Sequence, residues 1–196
     1  MEEGPPGAGK STFEPIDSKT LFGELHLQEG TSFLDLGCGR GEYAIAAADL
    51  TGEGQIYGVD LWTEGIAVLQ ELATAKGLTN LTGWVGDIRK RLPLIDRSID
   101  VCLMAAVLHD LGEVDAQKTL EEVRRVLTLK GLLAVVEFKK IEDPPGPPIR
   151  IRLSPEDVSR IVTLHGFTER RVLEVGPYHY LITFSTGGVL QRSSGG

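Results

Sequence analysis

The chain has 196 residues, of which 28 are acidic and 20 basic, so that its formal net charge is −8. With 41% hydrophobic and 24% charged residues, the composition is that of a globular protein and excludes a disordered or fibrous one. The acidic balance argues against a general binder of nucleic acids or anionic membranes. The sequence has no apolar run of membrane-spanning length, and its start, with Glu2 and Glu3, lacks a signal-peptide pattern. We therefore expect a single cytoplasmic domain over residues 1–196.

Both ends of the chain are predicted to be flexible, over residues 1–12 and 187–196, because they are rich in Gly, Pro and Ser. Residues 4–11 also satisfy the Walker A pattern of phosphate-binding loops. That loop requires a preceding strand to hold it in a sheet, and only three residues come before it here. We therefore expect residues 10–13 to begin a segment that folds over the mouth of the active site instead.

Between these tails, short apolar runs alternate with segments of helical periodicity. Such an alternation predicts a parallel sheet with right-handed crossovers and helices on both faces. The two cysteines, Cys38 and Cys102, lie in apolar runs and are expected to be free thiols. The predicted strands are 31–37, 55–60, 81–85, 99–105 and 132–138, and the predicted helices are 42–50, 63–76 and 114–127.

The last part of the chain follows a different pattern. Ser154 and Pro155 are typical of a helix start, and this helix is predicted to end at Gly166. Two further strands, 169–175 and 178–184, are joined by only a short Gly-Pro turn. Strands connected so closely must be antiparallel, so we expect a hairpin at one edge of the sheet.

A glycine-rich turn, DLGCGRG at 35–41, lies between the first strand and the helix that follows it. Glycines at alternating positions allow a sharp turn and a close approach of a ligand to the main chain. Asp60 ends the second strand, 21 residues after Gly39, and Asp87 ends the third. A carboxylate at the first position can accept hydrogen bonds from ribose hydroxyls, and one at the second can meet the amino edge of an adenine.

The charges of this region distinguish between two nucleotide ligands. A dinucleotide would place its pyrophosphate on the glycine turn, but position 42, where its usual motif has a third glycine, is Glu42. Asp35, two residues before the first glycine, would also repel a pyrophosphate. S-adenosylmethionine carries an amine, a carboxylate and a sulfonium and has no phosphate. We expect Asp35 near the amine, the turn near the carboxylate, Asp60 on the ribose, and Asp87 with Ile88 on the adenine.

These motifs resemble the ordered motifs of class I S-adenosylmethionine-dependent methyltransferases, most closely the small type 11 group that includes quinone-biosynthesis enzymes. The resemblance rests on FLDLGCGRG at 33–41, GVD at 58–60, GDI at 86–88, and the stretches 99–111 and 127–138. It implies a Rossmann-like seven-stranded α/β sheet in the order 3-2-1-4-5-7-6, with strand 7 antiparallel and helices on both faces. It implies S-adenosylmethionine as the cofactor and no metal. The expected cofactor-binding residues are Asp35, Gly37, Cys38, Gly39, Gly41, Asp60, Leu61, Gly86, Asp87, Ile88, Met104 and Ala105.

The sequence gives weaker indications of the residues that contact the methyl acceptor. His109 follows the fourth strand and is the candidate general base, with pocket lining as the alternative role. Glu137 and Lys139 are interpreted as a solvated rim, with contact to the acceptor as the alternative. The proline-rich stretch 144–148 predicts a rigid connection. Its alternative role is a flap whose following arginines, Arg150 and Arg152, meet an anionic acceptor. Residues 178–180, at the start of the last predicted strand, are expected to pack at the edge of the sheet.

The sequence contains no insertion large enough for a separate substrate domain, which favours a small-molecule acceptor over a nucleic acid, protein or membrane. The function that these observations favour is methyl transfer from S-adenosylmethionine by in-line displacement. The first alternative is a non-catalytic module of the same fold that binds the cofactor or a partner. The second is a nicotinamide-dependent oxidoreductase. The acceptor atom and the oligomeric state are left open.

Overall fold

The computed structural model describes residues 9, 11–142 and 145–187, which form one seven-stranded sheet in the order β3-β2-β1-β4-β5-β7-β6. Strands β1 to β5 pair in parallel, and β7 pairs antiparallel with both β5 and β6. The predicted order and the antiparallel seventh strand are therefore confirmed. The strands are Phe33–Leu36 (β1), Ile56–Asp60 (β2), Leu81–Val85 (β3), Ile99–Ala105 (β4), Leu127–Phe138 (β5), Phe167–Glu174 (β6) and His179–Thr186 (β7).

Helices cover both faces of this sheet, as predicted, and each face has its own apolar core. The core on one face contains side chains from α1, α2 and α3, and the core on the other contains side chains from α4 and α5. A central parallel strand covered on both faces is buried throughout, and all four residues of β1 are buried. The helices are Ser18–Leu25 (α1), Glu42–Thr51 (α2), Thr63–Lys76 (α3), Glu113–Val126 (α4) and Pro155–Leu164 (α5).

Most predicted element boundaries agree with the structure to within two residues, and three elements, α3, β3 and β4, have the predicted bounds. The helix α5 begins with the expected capping box, in which Ser154 and Asp157 satisfy each other's backbone N–H groups. The prediction for β5 was five residues too short, because Leu127 follows α4 without a turn and pairs with Ile99 across a register shift. Helix α1 was missed; it has only eight residues, of which Leu21 and Leu25, four positions apart, are buried.

The N-terminal segment contacts the body of the protein close to the glycine turn. Ser11 donates a hydrogen bond to a carboxylate oxygen of Glu42 at 2.5 Å, and the hydroxyls of Thr12 and Tyr43 are 2.8 Å apart. The ring of Phe13 packs edge-on against that of Tyr43. Ser11 and Thr12, which were included in the predicted flexible segment, thus bind to α2. The rest of the Walker A pattern lies outside the described residues apart from Gly9, and so does the predicted tail beyond residue 187.

Within the described part of the chain, no helix is long and apolar enough to cross a membrane. Both cysteines are buried and free, as predicted.

Candidate functional site

A cavity of about 800 Å³ opens at the edge of the sheet where the parallel strands end. It is the place at which open α/β sheets bind their ligands. Its lining begins at the glycine turn after β1, continues past the ends of β2, β3 and β4, and reaches the end of β5 and the start of β7. Of the twelve predicted cofactor residues, eight line it: Gly37, Cys38, Gly39, Asp60, Leu61, Asp87, Ile88 and Ala105.

The glycine turn has the left-handed backbone that its composition predicts. Gly37, Gly39 and Gly41 have φ angles of +80°, +55° and +76°, a region that residues with a side chain avoid. The N–H groups of Gly37 and Cys38 donate to the carbonyl of Val59 in the neighbouring strand, at 2.8 Å and 3.1 Å. Because these groups are already engaged, the turn offers close main-chain approach rather than a cradle of N–H donors for a pyrophosphate.

Asp60 connects the end of β2 to the glycine turn. One of its carboxylate oxygens accepts a hydrogen bond from the N–H of Gly39 and the other from that of Trp62, each at 2.8 Å. A carboxylate has about four acceptor positions, so each oxygen retains capacity for a further donor. Asp60 lies in the cavity lining together with its neighbours Leu61 and Trp62. Asp60 is thus held in one orientation in which it can accept hydrogen bonds from a sugar.

Asp87 lines the cavity beside Ile88, but its carboxylate also has a protein partner. The guanidinium of Arg89 binds both of its oxygens, at 2.8 Å and 3.0 Å, and contacts Asp115 at 3.1 Å. The hydrogen bond from the Arg89 side chain is the main reason that the pKa of Asp87 lies below its ordinary value. Asp87 is therefore ionised and fixed at the predicted adenine end of the site.

The other four predicted residues lie behind the lining. Asp35 is buried, and its carboxylate accepts a hydrogen bond from the N–H of Ala44 in α2 at 3.2 Å. Burial raises the pKa of Asp35 to about 8, assisted by the charges of Asp60 and Glu42. Gly41 is the N-cap of α2. Gly86 donates its N–H to the carbonyl of Asp60, and Met104 is buried within β4.

His109, the predicted general base, lies in the cavity lining and pairs with Glu137. Its Nδ1 is 2.7 Å from one carboxylate oxygen of Glu137, and its backbone N–H donates to the other at 3.1 Å. A carboxylate oxygen can only accept, so Nδ1 carries the proton and the neutral ring keeps its lone pair at Nε2. Burial lowers the pKa of His109, but the hydrogen bond and charge of Glu137, together with Asp110, outweigh it and raise the pKa above 6.5.

The structure corrects the expectation for Glu137, whose carboxylate is the partner of His109. Glu137 has no exposed surface, whereas the sequence analysis interpreted it as part of a solvated rim. The position of Glu137 in the sequence could have predicted this burial. A carboxylate inside a continuous apolar strand is buried and therefore needs a partner. Lys139, two residues later, donates to the carbonyl of Gly176 and pairs with Glu174, both at 3.1 Å.

The acceptor end of the cavity is mostly apolar. The ring of Phe138 and the loop residues 145–148 line it, together with Ile151 and His179. The loop packs directly on Phe138, because a Cβ at Gly146 would collide with that ring. His179 was predicted only to pack at the edge of the sheet. It lies instead in the sixth position of the sheet, on β7, and its ring centroid is 4.4 Å from that of Phe138.

Arg152 holds the proline-rich loop in place and does not face an acceptor as the flap interpretation required. It is buried, and its guanidinium donates to the carbonyls of Pro147 at 2.8 Å, Lys139 at 3.0 Å and Pro145 at 3.4 Å. Arg150, by contrast, is exposed. The rigid-connection interpretation of the loop therefore agrees with the contacts that Arg152 makes.

No group of three or more His, Cys, Asp or Glu side chains that could hold a metal occurs among the described residues. The arrangement instead fits a cationic nucleoside. Five carboxylates, those of Glu42, Asp60, Asp87, Asp110 and Asp115, and one guanidinium, that of Arg89, lie in the described cavity lining. The excess of negative charge attracts a positively charged ligand and repels a pyrophosphate. The geometry thus provides one acidic end, one apolar end, and a carboxylate-paired histidine.

Comparison with known proteins agrees with this geometry. A family model described as a methyltransferase domain matches residues 27–159. The chain is also similar to the structure of a SAM-dependent methyltransferase from Aquifex aeolicus, with 31% identity and a TM-score of 0.81. That alignment covers 88% of this chain and 91% of the other.

Two curated relatives carry more specific names. The chain is 31% identical over 112 residues to a 2-phytyl-1,4-naphtoquinone methyltransferase from Trichormus variabilis, which is 57% of this chain and 48% of the relative. It is 29% identical over 120 residues to a demethylmenaquinone methyltransferase from Geobacillus stearothermophilus, which is 61% of this chain and 50% of the relative. The aligned part of the chain thus spans about half the length of these relatives.

Proposed function

The chain belongs to the methyltransferase-domain family, and on that premise we propose that it transfers the methyl group of S-adenosylmethionine to a small molecule with an aromatic ring of the quinol type. The family makes S-adenosylmethionine the cofactor and does not favour the non-catalytic alternative. The curated relatives that are named for naphthoquinone substrates, together with the apolar acceptor end of the cavity, support the choice of acceptor.

The observation that carries the cofactor assignment is the placement of Asp60. It is joined to the glycine turn by the N–H of Gly39, it lines the cavity, and it retains acceptor capacity for the hydroxyls of a ribose. Asp87 and Ile88 lie along the same lining at the end of β3, where we propose that the adenine binds. In this assignment Asp35 acts from behind the lining, where it binds the N–H of Ala44 and holds α2 against the turn.

When bound, S-adenosylmethionine would supply a sulfonium-activated methyl group. The acceptor's nucleophile forms a bond to the methyl carbon in line with the carbon–sulfur bond, which breaks with its electron pair staying on sulfur, so that S-adenosylhomocysteine is the leaving group. The protein's task is to align the two reactants and to exclude water, and effects of this kind can supply about 7–11 kcal/mol of a barrier. The acceptor also loses one proton. We propose that Nε2 of His109 receives it, while Glu137 holds the ring through Nδ1 and stabilises the positive charge that forms.

The experiment that tests this function has two stages. Calorimetry first measures binding of S-adenosylhomocysteine, and methyl transfer from radiolabelled S-adenosylmethionine to 1,4-dihydroxynaphthalene and other ring hydroxyl compounds is then assayed anaerobically. We expect micromolar binding and labelled product. Binding without transfer to any acceptor would favour the non-catalytic module instead. No binding by a folded sample would contradict the proposal, and displacement of bound cofactor by a nicotinamide nucleotide would favour the oxidoreductase.

A further inference from the structure

His179 is a buried polar residue whose side chain has no hydrogen-bond partner in the described structure. Its relative exposure is zero, and neither Nδ1 nor Nε2 has a partner among the described residues. Leaving a buried polar atom unsatisfied costs about 1–3 kcal/mol, so such groups are rare in native proteins and require an explanation. The other unpartnered buried side chains in the described residues belong to Thr119 and Thr183, and neither lines the cavity.

The surroundings of His179 connect it to the acceptor end of the site. It lies directly opposite Phe138 in the β5–β7 pairing, and both residues line the cavity. The ring of Phe138 is next to both imidazoles, with its centroid 4.4 Å from that of His179 and 6.1 Å from that of His109, and all three residues line the cavity. One ring-sized ligand at this end of the cavity would therefore have both histidines as neighbours.

The charge state of His179 limits what it can recognise. Burial, together with the charges of Lys139 and Arg152, lowers the pKa of His179 to about 4. The residue is therefore neutral at physiological pH, with one ring nitrogen that donates and one that accepts a hydrogen bond. A neutral imidazole of this kind matches an uncharged hydroxyl or carbonyl oxygen and gives no ionic attraction to a carboxylate or phosphate.

We propose that His179 is the acceptor-recognition residue of this site, and that it hydrogen-bonds a neutral ring oxygen of the acceptor at the Phe138 end of the cavity. The proposal rests on the function proposed above. It assigns the two histidines different tasks, since His109 takes the reacting proton while His179 binds an oxygen that does not react. It also predicts that acceptors with two ring oxygens bind more tightly than the same ring without oxygen.

The test measures equilibrium binding of two probes to protein saturated with S-adenosylhomocysteine, under anaerobic conditions, followed by naphthalene-ring fluorescence. The probes are 1,4-dihydroxynaphthalene and naphthalene, which have the same ring system with and without oxygens. His179→Phe keeps a ring but removes both nitrogens. It should weaken binding of 1,4-dihydroxynaphthalene roughly three- to tenfold, as expected for one neutral hydrogen bond, and should leave naphthalene binding unchanged.

Thr183→Val is the matched control, because it also removes an unpartnered buried polar group from β7 but does not touch the cavity. It should change neither probe's affinity. His179→Leu is the second apolar variant, should His179→Phe not fold, and is expected to behave in the same way. His179→Gln should retain part of the preference for the dihydroxy probe, because an amide can still donate and accept.

Each of the following results would overturn the proposal. They are an unchanged affinity of the apolar variants for 1,4-dihydroxynaphthalene, an equal loss for both probes, and no binding of either probe by wild-type protein that is saturated with S-adenosylhomocysteine. A large drop in thermal stability of both apolar variants with unchanged probe preference would indicate a structural role, and would count against the proposal in the same way. Absence of S-adenosylhomocysteine binding would instead contradict the function itself, so the two failures are distinguishable.

Discussion

Glu137 binds His109 twice, through the imidazole Nδ1 at 2.7 Å and through the backbone N–H at 3.1 Å, and both contacts lie in the protein interior. The two contacts fix the position of the loop after β4 as well as the orientation of the ring. Under the proposed function, the carboxylate would act on the acceptor only through the histidine, which would make Glu137 a positioning residue. The arrangement is that of a base and its orienting carboxylate, as found in other proton-transferring sites.

Glu137→Gln should move the pH dependence of methyl transfer. A base must be neutral to accept a proton, so activity rises as the pH passes upward through the pKa of His109, which lies above 6.5 in the wild type. The variant loses the negative charge that raises this pKa, whereas burial and the charge of Arg152 still lower it. The rise in activity should therefore shift to lower pH. The check is a pH profile of kcat/KM for both proteins.

Asp110→Asn is the control for this profile, because Asp110 is the other acidic neighbour, 3.6 Å from Nε2. Asp110→Asn should also shift the rise in activity to lower pH, but by a smaller amount, because the charge of Asp110 raises the pKa of His109 less than that of Glu137 does. A Glu137→Gln profile that superimposes on the wild type would show that His109 is not the group that titrates.

Asp60→Ala should weaken binding of S-adenosylhomocysteine by about 10- to 150-fold, which corresponds to a loss of roughly 1.5–3 kcal/mol for hydrogen bonds to a charged group. The loss has two sources, the missing ribose contact and the missing support for the N–H of Gly39. Calorimetry measures it. Asp49→Ala, at an exposed position on α2, should bind as tightly as the wild type. Equal affinities of all three proteins would exclude Asp60 from the binding site.

Arg152→Met should loosen the loop over Phe138, because three backbone carbonyls lose a charged donor. We expect the free energy of unfolding in urea to fall by about 2–4 kcal/mol and the KM for the acceptor to rise, with little change in cofactor affinity. The exposed Arg150, changed to Met, should alter stability by no more than about 0.5 kcal/mol. If both variants behave alike, the loop is not held by Arg152.

Alanine substitutions at two glycines of the turn should have different effects, one mainly on stability and the other mainly on cofactor affinity. Gly41→Ala places a Cβ inside the side chain of Leu69 at a positive φ, so it should lower the free energy of unfolding by about 2–4 kcal/mol. Gly39 lines the cavity, and a Cβ there would meet no atom of the described residues within 4 Å. Gly39→Ala should therefore cost less stability but reduce cofactor affinity roughly tenfold or more, equivalent to about 1.4 kcal/mol. Urea unfolding and calorimetry separate the two effects.

Most of the fold could be predicted from the sequence because its helices and strands have strong local patterns. The apolar run of β5 and the capping box at Ser154 each predict their element without tertiary information. Helix α1 was missed although its N-cap, Asp17, is a local signal, because the helix has only eight residues and only two of them are buried. The extended start of β5 depends on its pairing with Ile99, which is a long-range contact.

The cofactor half of the site was easier to predict than the acceptor half. Gly37, Gly39 and Asp60 lie at the ends of strands, where the topology alone brings them together. The pairing of Glu137 with His109 and the burial of His179 depend on side-chain packing across β4, β5 and β7, which periodicity does not encode. Motifs thus indicate where the cofactor binds, while the acceptor's surroundings emerge only from the three-dimensional arrangement.

The most direct measurement is a crystal structure of the protein grown with S-adenosylhomocysteine. The account predicts the ribose hydroxyls within hydrogen-bonding distance of the Asp60 carboxylate, the adenine beside Asp87 and Ile88, and the sulfur directed toward the end of the cavity that His109 lines. A nucleoside bound away from Asp60, or a cavity that stays empty at saturating ligand, would contradict it.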